Sequence, residues 1–161
     1  MTQFLQHSVS LSTDIIAICV LFILLFAYGM YFGKSYLVSL VLTFYPARFL
    51  FEHFPFVDKL IFLKGDMLLT LNKVGIFILF LIPVHILIGR YVFSESGYGA
   101  ERMFRTAGLA IAGVISVLVF NYGVINLDLL YNFTPVIDVL FSGADKLFYW
   151  SLAPLVILFV L

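Results

Sequence analysis

The sequence predicts an all-α polytopic membrane protein with about four transmembrane helices, surface helices in the connectors and a short apolar C-terminal helix. Three observations carry that prediction. Hydrophobic residues make up 63% of the chain and charged residues only 11%, where a soluble domain is roughly one quarter charged. Mean hydropathy is strongly positive, at +1.14. The apolar residues also gather into long runs parted by short charged connectors. The 161 residues hold four or five spans of about 20 residues each and leave no soluble domain of useful size, so residues 1–161 read as a single transmembrane domain. The formal net charge is zero and no basic run occurs, so nucleic acid is not an expected partner. The lone cysteine, Cys19, excludes an intrachain disulfide. The expected partners are the lipid bilayer and either further copies of the chain or other membrane proteins.

The first span is read at 15–32, a stretch without a charge. It is longer than the core of a signal peptide and has no Lys or Arg ahead of it, so it is expected to be retained. Ser12, Thr13 and Asp14 are all competent N-caps, and Asp14 would then face the positive end of the helix dipole. Gly29 and Gly33 form a GxxxG pair, which either admits a neighbouring helix or simply ends this one. Gly33-Lys34-Ser35 looks like the end of a phosphate loop, but Tyr28 stands where the earlier glycine is needed.

A second span at 36–51 is interrupted by Pro46 and Arg48 and is barely long enough to cross. Arg48 and Glu52 are four apart and suit an ion pair on one helix face. The polar connector that follows carries Leu60 to Leu63, which suit a helix on the membrane surface. The third span, 74–92, should bend at Pro83 and contains His85, the clearest ionisable group inside a span. Two roles are open to His85 at this stage: a proton or ligand site, and an interhelical hydrogen bond.

The fourth span, 106–122, follows a glycine-rich connector. Gly108, Ala112 and Ser116 recur every four residues and so share one face, with Gly113 adding to the small-residue content. After it, LDLLYNF and PVIDVLF have the apolar spacing of surface helices, and Asn132-Phe133-Thr134 matches a glycosylation sequon. The stretch 147–161 is apolar, with Tyr149 and Trp150 as interface anchors; it reads as an interfacial helix or a short fifth span, the former slightly favoured.

Orientation is weakly determined. Four spans with the N-terminus outside place Lys34, Arg90, Arg102 and Arg105 inside and Arg48, Lys59, Lys64, Lys73 and Lys146 outside, which is close to balance. The charge-free N-terminus followed by Lys34 favours an external N-terminus and a cytoplasmic 93–106 connector. No nucleophile stands beside a base. The histidines His7, His53 and His85 lie in separate elements, so no enzyme activity, cofactor or metal is expected.

In Asp14, in Gly29 and Gly33 with Ser39-Leu40, and above all in Gly97-Tyr98-Gly99-Ala100-Glu101-Arg102 followed by Gly108 and Gly113, the chain resembles the CvpA (colicin V production) family of small bacterial inner-membrane proteins. The connector motif is then Gly97, Gly99, Glu101 and Arg102. Glu101 stands where that family commonly has Asp, and the first connector is poorer in Arg. The resemblance implies a non-enzymatic role in toxin production or export and in envelope maintenance. The residues alone leave two other readings open: a small channel or transporter using His85 and a path broken by Pro46 and Pro83, and an accessory subunit of a larger respiratory or secretion complex.

Overall fold

The structure, a computed structural model, describes residues 2–55, 66–91, 100–125, 134–141 and 143–161. All regular structure among them is helical: α1 (Thr2–Phe32), α2 (Lys34–His53), α3 (Asp66–Tyr91), α4 (Ala100–Phe120), α5 (Pro135–Phe141) and α6 (Ala144–Val160). A π-helical turn, Asn121–Ile125, extends α4. Three segments are long and apolar enough to cross a membrane: Ser12–Phe32, Met67–Tyr91 and Met103–Gly123.

Several expectations change. The first helix begins at Thr2, because no glycine or proline interrupts the chain before Gly29. Asp14 is therefore an interior helical residue rather than a cap. Pro46 and Pro83 lie inside continuous helices, so neither breaks its element. Membrane helices tolerate internal proline because neighbouring groups satisfy the freed carbonyl. The predicted surface helix PVIDVLF is α5; LDLLYNF and most of the 54–66 connector lie outside the described residues.

The helices alternate in direction. At the α1–α2 junction Gly33 adopts φ 103°, a left-handed conformation that disfavours side chains, and its N–H closes the last turn of α1 on the Gly29 carbonyl. α2 thus turns back on α1. Contacts of Ser39 with His85 and of Phe44 with Phe77 set α3 antiparallel to α2. Gly29 meets Thr106 while Leu25 meets Gly113, so α1 and α4 are antiparallel too. Leu161 lies against Gly108, whereas Leu147 and Trp150 pack into the cluster holding Val114 and Leu118, so α6 runs antiparallel along α4.

α4 is the central helix. Of its apolar window 56% is buried in the protein, against 6% for that of α1 and 11% for that of α3. It packs on α1, α2 and α6. The buried side of α2 carries Leu37, Ser39, Val41, Thr43, Ala47 and Phe51. Large apolar side chains such as Ile23, Leu24, Leu79, Ile82 and Phe159 are exposed instead. Small and hydroxylated residues inside with bulky apolar ones outside is the pattern expected where lipid, not water, is the solvent.

Candidate functional site: a histidine held between three helices

His85 projects from α3 into the junction of α1 and α2. Its Nε2 lies 3.2 Å from the Tyr28 hydroxyl, and its Nδ1 lies 3.3 Å from Ser39 Oγ. The Ser39 hydroxyl is also 3.3 Å from the His85 carbonyl and donates to it. One proton arrangement satisfies all three contacts with a neutral ring: Tyr28 donates to Nε2, Nδ1–H donates to Ser39 Oγ, and Ser39 donates to the His85 carbonyl. A neutral imidazole is also the cheaper form away from water. On the far side of Ser39, the buried Thr43 hydroxyl donates to the Ser39 carbonyl at 2.6 Å. A polar thread therefore joins three helices, and the interhelical hydrogen bond expected of His85 is present.

The sequence carried a signal for these partners. Ser35, Ser39, Thr43 and Ala47 repeat every four residues on α2, a small-residue stripe equivalent to that on α4. Its last three members are fully buried. Read as a stripe rather than as an interrupted apolar run, it marks α2 as an interior helix.

The small residues singled out in the sequence serve packing within the chain. A Cβ on Gly29 would stand 2.8 Å from both Leu37 and Thr106, so this glycine lets α1, α2 and α4 converge. Gly33, by contrast, has nothing within 4 Å of its would-be Cβ; it makes the turn and no helix contact. Gly113 accommodates Leu25, and Gly108 accommodates Leu161. Ala112 is fully buried, and Ser116 donates back to the Ala112 carbonyl at 2.9 Å. Of the connector motif, Gly97 and Gly99 lie outside the described residues. Glu101 pairs with Arg105, one turn on, at 2.7 Å. Arg102 falls in the first turn of α4.

Two further polar features were not foreseen. Asp14, only 2% exposed, accepts from both the backbone N–H and the hydroxyl of Thr134, at 2.8 and 2.6 Å. Thr134 in turn caps α5, its carbonyl receiving the N–H groups of Ile137 and Asp138. The threonine of the sequon is thus buried and engaged. Second, a cleft of about 120 Å³ opens between α2, α4 and α6, with Arg48 at its edge. Arg48 Nε donates to Glu52 at 2.8 Å, the ion pair expected from their spacing.

Among the described residues, no three His, Cys, Asp or Glu side chains gather into a group able to hold a metal ion. No family model matches the chain, and no curated protein or solved structure matches it either.

Proposed function

We propose that this chain is a non-enzymatic integral protein of the bacterial inner membrane, of the kind its CvpA resemblance implies, serving production or export of a colicin V-type toxin and upkeep of the envelope. One observation supports this above others: the stretch that carries the resemblance, the connector with Glu101 followed by Gly108 and Gly113, leads into the helix around which the bundle is built. In this reading α1, α2, α3 and α4 cross the membrane and α6 crosses as a fifth, shorter helix. Its 17 residues span about 25 Å, close to the hydrocarbon thickness of about 30 Å. The N-terminus is outside and the 93–106 connector cytoplasmic. The working surface is the apolar exterior, through which the protein meets lipid and other membrane proteins. Depleting the protein in its native host should lower release of the peptide toxin and sensitise cells to envelope stress. Unchanged release and unchanged resistance would reject the role.

The hydroxyl–imidazole–hydroxyl chain at Tyr28, His85 and Ser39 favours a second reading, a small proton-linked channel or transporter. That reading predicts pH-dependent flux into proteoliposomes that His85→Phe abolishes. Flux indifferent to the substitution removes it.

A further inference from the structure

The cleft between α2, α4 and α6 combines two features, an apolar pocket and an ion pair beside it. Its walls are mainly apolar, with Phe44, Val119, Phe120 and Pro154 beside Tyr45, Ser116 and Ser151, and its volume of about 120 Å³ is of the order of engineered apolar cavities of ~150 Å³ that take up benzene. It therefore has room for a segment of an acyl chain, not for a whole lipid. At its edge, near the C-terminal ends of α2 and α4, sits the ion pair of Arg48 and Glu52. Among the described residues Arg48 engages Glu52 through Nε, and Glu52 accepts through Oε1. The guanidinium lies against the backbone at Gly123, where a Cβ would stand 3.1 to 3.3 Å from Nη2, Cζ and Nη1, so the glycine lets Arg48 pack flat on the turn that extends α4. The Nη donors of an arginine fork match a phosphate, and the second oxygen of Glu52 beside it matches an ammonium group.

We propose that this cleft binds one aminophospholipid from the bilayer. Part of an acyl chain lies between α2 and α6 on Phe44, Val119 and Phe120, the phosphate rests on the Nη edge of Arg48, and the ammonium meets Glu52. The side-by-side positive and negative groups select a zwitterion bearing N–H donors over an anionic headgroup, which would meet the Glu52 charge, and over a quaternary headgroup, which has no donor to give. The inference rests on α2 and α6 lying in the bilayer, as proposed above.

The test uses the full chain purified in a mild detergent, stripped of lipid, and titrated with phosphatidylethanolamine, phosphatidylglycerol or phosphatidylcholine of identical acyl chains, with bound lipid counted by native mass spectrometry. One phosphatidylethanolamine should be retained, about tenfold more tightly than the others, a ratio typical of one charge-assisted hydrogen bond. Arg48→Gln should lose that retention, Glu52→Gln should erase the preference over phosphatidylglycerol, and Ser151→Leu, which fills the cleft and leaves the ion pair intact, should abolish binding. Equal retention of the three lipids, preference for phosphatidylglycerol, or retention that survives both Arg48→Gln and Ser151→Leu would overturn the proposal. Reaction of single cysteines placed at Lys34 and His53, or at Asp145 and Leu161, with an impermeant thiol reagent from the same side of the membrane would instead overturn the placement of α2 or α6 on which it rests, so the two failures are distinguishable.

Discussion

At the scale of single residues, the interior is held by a few polar groups whose partners come from distant parts of the chain. His85 is the centre of one set. Replacing it with Phe leaves the Tyr28 and Ser39 hydroxyls without the ring, and loss of a partner to a buried polar group destabilises by about 1–3 kcal/mol. His85→Phe should therefore lower the unfolding midpoint in detergent micelles, whereas His85→Gln, which keeps a donor and an acceptor, should recover part of it. Asp14 is the centre of another set. Its carboxylate ties the N-terminal part of α1 to the cap of α5 through both donors of Thr134. Because the two residues act as one unit, Asp14→Ala and Thr134→Val should each destabilise by about 1–3 kcal/mol, and the double variant should lose far less than the sum. Additive losses in a double-mutant cycle would mean that the two residues act separately. The exposed pairs Arg48–Glu52 and Glu101–Arg105 belong to a different class, in which about 0–1 kcal/mol is typical.

At the scale of elements, α2 and α4 form the inside and α1, α3 and α6 the outside. This follows from their small residues. Ala112 is fully buried between Gly108, which receives Leu161 of α6, and Ser116, which bonds back onto the Ala112 carbonyl. Ala112→Leu should accordingly destabilise the fold by about 1–3 kcal/mol through overpacking. It should leave the mass of the purified particle unchanged, since the stripe is filled from within the chain. A lower oligomeric mass at unchanged stability would transfer the stripe to an intermolecular contact. The helical class and the pairing of Arg48 with Glu52 were legible in the sequence, because apolar run length and i, i+4 spacing are local properties, whereas the partners of His85 lie 57 and 46 residues away. The place of Asp14 was not legible. Ser12, Thr13 and Asp14 are good caps by residue type, yet an uninterrupted helix from Thr2 and a partner 120 residues away decide otherwise, and neither shows in a local window. The interior place of α2 was not legible for a related reason. Its serines and threonine lower its hydropathy, which makes it look like a marginal span when those residues mark it as the interior of the bundle.

At the scale of the whole molecule, the alternating directions of the five long helices sort the chain into two ends. Gly33, Lys34, Arg90, Glu101 and Arg105 gather at one end, and Asp14, His53, Asp138, Asp145 and Lys146 at the other. The exposed apolar side chains lie between them, on the surface that would face lipid. This two-ended arrangement depends most on α2 and α6, the two long helices outside the three clearest membrane segments. If they cross, the molecule is a five-helix bundle with the 33–34 turn and the start of α4 on one side of the membrane, and the α2 C-terminus and the α6 N-terminus on the other. The most direct measurement is accessibility of single cysteines, in a Cys19→Ser background, to an impermeant thiol reagent in intact cells. Cysteines placed at His53 and Asp145 should react from the outside, and cysteines placed at Lys34 and Glu101 should react only after the membrane is opened. Reaction of the Lys34 and His53 positions from the same side would contradict the account, because α2 would then not cross.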